Sequence, residues 1–244
     1  MVSTPKKPII IATVRNNPTF SPKIGQERRQ KMLRIKNVFH AYSKNQDILK
    51  GIDLDLKEGE FLSVLGGSGS GKTSLLRVIA GLERSFKGEI FIDSSLVVSE
   101  KFFLPTHKRN VGLVLQEKGL FPHLTIMQNV CFGLKGSKRE KRSLSMDLLK
   151  IFKVDQYSDV FPNSLSGGEQ QRVAIIRAIA PKPKILLMDE PFGSLDKDLR
   201  EELRNETKEI LKKDNISCIM VTHEASDAEF MSDRILSLKE GKLI

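Results

Sequence analysis

"FLSVLGGSGSGKTSLLRVIAGL", Phe61 to Leu82, decides how the rest of the chain is read. It opens on a short apolar strand pattern, passes through a glycine-rich turn and continues with apolar residues at helical spacing. Within it, Gly66 to Thr73 fit G-x-x-x-x-G-K-[ST] in the strand–loop–helix setting that this motif requires. The glycines let successive backbone N–H groups curl around phosphate oxygens, and the helix start adds a favourable dipole. Lys72 supplies a point charge for β- and γ-phosphates, and Thr73 a hydroxyl ligand for Mg²⁺. The stretch reads as a nucleoside triphosphate site.

Working outward, "LRIKNVFHAY" and "GIDLDLKEGE" before the loop alternate with period two and read as strands, as do "GEIFID" and "RNVGLVLQ" after it. From about residue 118 to 172 strand character disappears, and Gln128–Leu134, Ser143–Phe152 and Gly168–Ala180 have helical composition. "KILLMDEP" and "ISCIMVTHE" then return as apolar runs suited to buried parallel strands. Between them, "DKDLREELRNETKEILKK" places Leu199, Leu203, Ile210 and Leu211 on one helical face. The closing "RILSLKEGKLI" reads as a hairpin around Glu240-Gly241. The pattern predicts an α/β core interrupted by a helical insert.

Composition bounds the function classes. The 244 residues suffice for one domain with a sizeable core, and 39% hydrophobic with 29% charged residues describe a globular protein. No apolar run reaches the roughly 18 residues of a membrane span. Cys131 and Cys218 lack metal-type spacing and suggest a reducing compartment, so the cytoplasm is expected. The net charge of +10 points towards nucleic acid less than it first suggests. Residues 1–31 carry seven basic side chains against Glu27 alone, a net of +6 that leaves +4 for residues 32–244. That segment reads as a basic, disordered tail preceding the domain proper.

Two carboxylates end the strand "ILLMDE", Ile185 to Glu190. Neighbouring strand residues face opposite ways, so they take different tasks: Asp189 suits the Mg²⁺ shell, and Glu190 suits polarising an attacking water. His223 follows the strand "CIMVT", at the strand end where α/β sites gather. Gln116 ends "VGLVLQ" and could serve as an amide ligand or be structural; Tyr42 could stack on a base or simply be exposed. "LSGGEQQR", Leu165 to Arg172, is a second apparent anion-holding helix start, about a hundred residues after the first.

Together these residues resemble the ATP-binding subunit of an ATP-binding cassette (ABC) transporter over Met32 to Ile244. The match comprises an aromatic A-loop at Tyr42, the phosphate loop, a Q-loop at Gln116 and the signature at Leu165 to Arg172. Walker B at Ile185 to Glu190, the D-loop "SLD" at Ser194 to Asp196 and a switch histidine at His223 follow in the family's order. Gly67, where related importers often have proline, and Glu169, where Gln is common, depart from the pattern. The resemblance implies a P-loop NTPase core with a mainly parallel sheet, an antiparallel β-subdomain and a helical subdomain at about 118–172. It implies that Gly66, Gly67, Ser68, Gly69, Ser70, Gly71, Lys72, Thr73 and Ser74 hold ATP, with Tyr42 on adenine. Thr73, Gln116 and Asp189 are then the Mg²⁺ residues, and Glu190, His223 and Gln116 the catalytic ones.

The resemblance also implies that Ser166, Gly167, Gly168 and Asp196 serve the nucleotide of a second, head-to-tail copy. Membrane permease subunits are implied as partners at the cytoplasmic face of the cell membrane, with an extracytoplasmic solute-binding protein acting indirectly. "QEKGLFPHLTIMQNVCFGL" and "DEPFGSLDKDLR" are similar to importers of iron(III), sulfate, polyamines and sugars, and iron(III) is the expected solute. A nucleic-acid partner is not expected: about 95 residues separate Gly71 from Ser166, with no heptad run between them. The rival reading is an ABC ATPase that regulates a membrane complex, as in cell-division relatives, without moving a solute.

Overall fold

The computed structural model describes residues 31–43 and 46–244. The expected N-terminal tail lies outside the described residues, except that Lys31 already opens the first strand. Four strands, β1 (Lys31–Ser43), β2 (Gln46–Lys57), β4 (Lys87–Ile92) and β5 (Ser95–Val98), form an antiparallel sheet in the order β2-β1-β4-β5. A second sheet contains β3 (Phe61–Leu65), β6 (Val111–Val114), β7 (Ile185–Asp189), β8 (Ser217–Thr222), β9 (Arg234–Lys239) and β10 (Lys242–Leu243). Its order is β10-β9-β3-β8-β7-β6, and every pairing except the β9–β10 hairpin is parallel. Glu240 (φ 47°) and Gly241 (φ 80°) make the hairpin turn, as the sequence predicts. The α/β class and the layered architecture are those expected.

Strand alternation divides the core in two. Along β7, Leu186 and Met188 enter one apolar cluster while Ile185 and Leu187 enter the other; along β8, Cys218 and Met220 oppose Ile219 and Val221 in the same way. One cluster lies under the antiparallel sheet and α1 (Lys72–Ala80); the other lies under the helices that follow. A parallel sheet needs cover on both faces, which explains why these strands are apolar throughout rather than alternating. Register then fixes the edges. Leu65 pairs with Thr222, and Asp189 with Val221, so the residues after β3, β7 and β8 emerge on one sheet edge.

The region expected to be helical contains α2 (Ile126–Cys131), α3 (Lys138–Ile151) and α4 (Gly167–Ile179). Each begins with a capping box, Thr125 with Gln128, Ser137 with Glu140, and Ser166 with Glu169. These reciprocal bonds satisfy donors that a helix start leaves open. α3 starts before the predicted Ser143 because the Ser137 cap, not the first apolar residue, sets its origin. α4 continues past residue 172 without a break, and its Val173, Ile175, Ile176 and Ile179 join the core. The helix therefore belongs partly to the insert and partly to the sheet layer. α5 (Lys197–Lys213) buries Leu203, Thr207, Ile210 and Leu211, while Leu199 packs at the core margin. The strand β5 and the helix α6 (Ala225–Met231) were not apparent from the sequence pattern.

The far end of α1 is held by a buried arginine. Arg109 Nη1 donates to Val78 O (3.0 Å) and Ile79 O (2.9 Å), and Nε to Leu104 O (2.8 Å). A Cβ at Gly81, where φ is +81°, would sit 2.5 Å from the same guanidinium, so the glycine makes room for it. Burial lowers the Arg109 pKa to about 10, which is still far above neutral, and the group stays charged. It meets carbonyls at the negative end of the helix dipole. Arg109→Met should lower stability by about 3 kcal/mol, because it strands buried carbonyls that now bond to a charge. Urea unfolding would read this as a lower midpoint at unchanged slope; an unchanged midpoint refutes the role.

Candidate functional site

The loop joining β3 to α1 is built by glycines in two different ways. Gly69 (φ 76°) and Gly71 (φ 104°) take left-handed backbone that side chains rarely adopt. Gly66 is needed for space, since a Cβ there would lie 2.6 Å from Leu238 O. Gly67 faces open space with nothing within 4 Å, so no packing contact requires a glycine there. Lys72 is only 7% exposed, and its Nζ donates to Gly66 O (2.8 Å) and Gly67 O (3.0 Å). Ser68 is exposed, whereas the buried Ser70 hydroxyl has no hydrogen-bond partner among the described residues. An ammonium turned inward on loop carbonyls beside an unpartnered hydroxyl suits a phosphate that would take both contacts.

On the same edge, β7 delivers Asp189 and Glu190. Asp189 is 3% exposed, and its Oδ1 is buried without a partner. Burial raises its pKa, a hydrogen bond from Thr73 opposes that shift, and the charge of Glu190 adds to it. A buried, orphaned carboxylate oxygen beside the Thr73 hydroxyl fits a hydrated divalent cation. Glu190 leaves the strand with φ 45°, an uncommon region for a non-glycine residue, and its N–H donates to Val221 O (2.9 Å). This turn swings the carboxylate across the edge. Its Oε1 lies 3.8 Å from Lys72 Nζ, and its Oε2 2.9 Å from His223 Nδ1. Glu190, Lys72 and His223 thus converge at the loop.

Other predicted residues are placed differently. Tyr42 reaches the start of α1, its hydroxyl 2.9 Å from Ser74 Oγ. Gln116 is exposed in the turn after β6, and among the described residues no hydrogen bond brings its amide to Thr73 or Asp189. Ser166 is the N-cap of α4: its Oγ accepts from Glu169 N (3.3 Å), and Glu169 Oε2 accepts from Ser166 N (2.7 Å). Glu and Gln both complete such a box, so the Glu169 departure preserves the cap. Hydrogen bonds from Tyr157 first, and then from Ser166, hold the Glu169 carboxyl below its usual pKa. Asp196 caps α5 by accepting from Leu199 N (3.0 Å), and a Cβ at Gly168 would lie 2.4 Å from Leu199. Ser166, Gly167 and Asp196 are exposed, and among the described residues no hydrogen bond joins them to the phosphate loop. The two phosphate-type devices therefore lie at separate places on the chain.

The structure divides "LSGGEQQR" in a way that its sequence did not indicate. Its first half is an exposed helix start, but Arg172 is buried and faces the other way. Its guanidinium binds Glu206 (2.5 Å), Glu202 and Phe152 O (3.0 Å), tying α4 to α5 and to the end of α3. Glu83, bonded to Tyr42 and to Arg77, is a second residue that the sequence pattern missed, since no local spacing links positions so far apart.

The ABC transporter family profile matches residues 49–193. A Fe(3+) ions import ATP-binding protein of Haemophilus influenzae is 40% identical over 216 residues, which cover 87% of this chain and 60% of that protein. A spermidine/putrescine import ATP-binding protein of Bacillus cereus is 41% identical, covering 88% of this chain and 65% of that protein. The chain thus spans less than two thirds of the length of these curated relatives. Among solved structures, a dimeric bacterial ABC transporter cassette matches with a TM-score of 0.78 at 36% identity, covering 87% of this chain and 96% of that one. The same cassette in a post-hydrolysis state bound to ADP and Pi also matches at 0.78, with 35% identity.

The raised Asp189 pKa sets a linkage test. A carboxyl group whose folded pKa exceeds its unfolded one loses stability as pH rises through that interval, and the loss persists at neutral pH. Asp189→Asn should therefore raise the melting temperature of the nucleotide-free chain at pH 7, with the gain shrinking as pH falls towards about 4. The same variant should lose any Mg²⁺-dependent increase in ATP affinity. A lower melting temperature, or intact Mg²⁺ dependence, contradicts this account.

Proposed function

The chain belongs to the ABC transporter family, and on that premise we propose that it is the ATP-hydrolysing subunit of an importer that works paired with a second copy of itself. The observation that carries this reading is Glu190 Oε2 held 2.9 Å from His223 Nδ1, with Lys72 alongside at the phosphate loop. ATP would displace the Lys72 ammonium from the Gly66 and Gly67 carbonyls onto β- and γ-phosphate oxygens, while the loop N–H groups bind the remainder. Mg²⁺, when bound, neutralises developing charge on the β- and γ-phosphates; Thr73, Asp189 and Gln116 are the residues that would hold it. Glu190 then accepts a proton from the water that attacks the γ-phosphorus, and ADP leaves. The histidine orients the carboxylate and, being half exposed, can reach the γ-phosphate.

The pairing rests on the exposed second device. Ser166 caps α4 at an exposed helix start, where its hydroxyl lies beside the N–H groups of Gly167 and Gly168. A head-to-tail partner would bring its γ-phosphate there, with Asp196 at the same margin. Closure then requires ATP, because without it the facing surfaces present like-charged donors to each other; hydrolysis releases them.

Among the described residues no helix is long and apolar enough to cross a membrane. The proposed partners are permease subunits, met at the cytoplasmic face. Exposed Phe132, which packs at 4.7 Å from Phe121, and exposed Phe161 supply an apolar surface on the helical region for such partners. An extracytoplasmic solute-binding protein would act through those subunits. Iron(III) is the proposed solute, with polyamine the second choice; the relatives named for each are about equally similar, and both solutes are cationic. Uptake of radiolabelled iron(III) against spermidine by the reconstituted complex decides between them.

Glu190→Gln should bind ATP, lose at least about 100-fold in turnover and accumulate as an ATP-bound dimer on gel filtration. Near-normal turnover would remove Glu190 from the mechanism. Ser166→Arg should keep nucleotide binding by the monomer and lose ATP-driven pairing; loss of monomer binding instead would overturn the cross-subunit arrangement.

A further inference from the structure

Tyr42 combines two properties that rarely coexist in a surface side chain. It is 57% exposed, yet both its tip and one edge are pinned. Its hydroxyl lies 2.9 Å and 3.0 Å from the two Glu83 carboxylate oxygens and 2.9 Å from Ser74 Oγ. The carboxylate can only accept, so the Tyr42 O–H donates to Glu83, and the Ser74 O–H donates to Tyr42. The ring edge meets His40 at 5.0 Å and 85°, and His40 is 4% exposed.

Glu83 is itself held in place. Arg77 Nη1 donates to its Oε1 at 3.2 Å, and His40 Nε2 lies 3.0 Å from its Oε2. The imidazole is anchored on its other side, where Nδ1 donates to Arg84 O at 3.0 Å. Ser74 and Arg77 both belong to α1, the helix that starts at the phosphate loop. The tyrosine is thereby fixed to the same rigid element that carries Lys72 and Thr73.

We propose that Glu83 is a positioning residue that holds Tyr42 as a preformed adenine platform at a set distance from the phosphate loop. This rests on the reading that Tyr42 stacks on the base. An untethered tyrosine on the surface would lose rotamer freedom when the nucleotide binds; a tethered one has already lost it on folding. The gain appears in affinity and KM, while the reacting groups at Glu190 are untouched. A carboxylate suits the task because it accepts from Tyr42 and Arg77 together, which a neutral side chain of the same length does less strongly.

The test measures Mg-ATP dissociation constants by calorimetry on the full chain, with melting temperatures to follow folding and ATPase kinetics to separate KM from kcat. Tyr42→Phe, which keeps the ring and removes the tether, and Glu83→Ala should each weaken binding about 2- to 10-fold. The double variant should be no weaker than the worse single variant, because both remove one tether. Glu83→Gln, which still accepts from the tyrosine, should recover most of the affinity, and the loss should fall on KM rather than kcat. If Tyr42→Ala weakens binding but Tyr42→Phe and Glu83→Ala match wild type, the platform stands and the tether is refuted. Multiplicative losses in the double variant also refute it. If Tyr42→Ala binds ATP as tightly as wild type, the stacking reading itself fails.

Discussion

Lys72 is a buried ammonium whose nearest partners are two loop carbonyls and, at 3.8 Å, one carboxylate oxygen. A buried cation with so little compensation is costly, and the cost is tolerable only where an anion is expected. Much of the architecture serves this arrangement. Two apolar layers hold β3 centrally in a parallel sheet, the glycines of the loop fold it around the ammonium, and Arg109 fixes the opposite end of the helix that Lys72 begins. The carboxylates that answer the lysine arrive from β7, with β8 between it and β3. Their position therefore depends on register across three strands.

The same economy shapes the second device. Ser166 and Gly167 stand at an exposed helix start, and Gly168 packs so close to Leu199 that a side chain there must displace it. Behind this start, Arg172 ties the helix to α3 and α5 through Phe152 O, Glu202 and Glu206. Burial raises the Glu206 pKa against the pull of Arg172, whereas Lys153 first and then other contacts lower that of Glu202. One short sequence thus presents an exposed helix start and anchors it. α4 passes directly from the helical region into the sheet layer.

Much of the fold could be read from local pattern. The loop motif with its flanking strand and helix, the apolar runs of β7 and β8, the amphipathic face of α5 and the Glu240-Gly241 turn all have short-range causes. The departures also have physical reasons. α3 starts at its cap rather than at its first apolar residue, because satisfying open N–H groups sets helix origins. β5 and α6 are short, and their stability comes from pairing and packing rather than from propensity. Gln116 stands at a predicted strand end, but reaching a cation from there depends on the course of an exposed turn.

By itself, the sequence determined the local elements: residue types at fixed spacing specify a glycine-rich loop between strand and helix, a paired carboxylate and a capped second helix start. Tertiary structure alone decided how these groups meet. The contact of Glu190 with His223 and Lys72, and that of Tyr42 with Glu83, join residues from different strands and helices. Such contacts follow from strand order, register and the divided core. The separation of the two phosphate-type devices has the same origin, because the distance between two helix starts is set by packing and not by the residues that cap them.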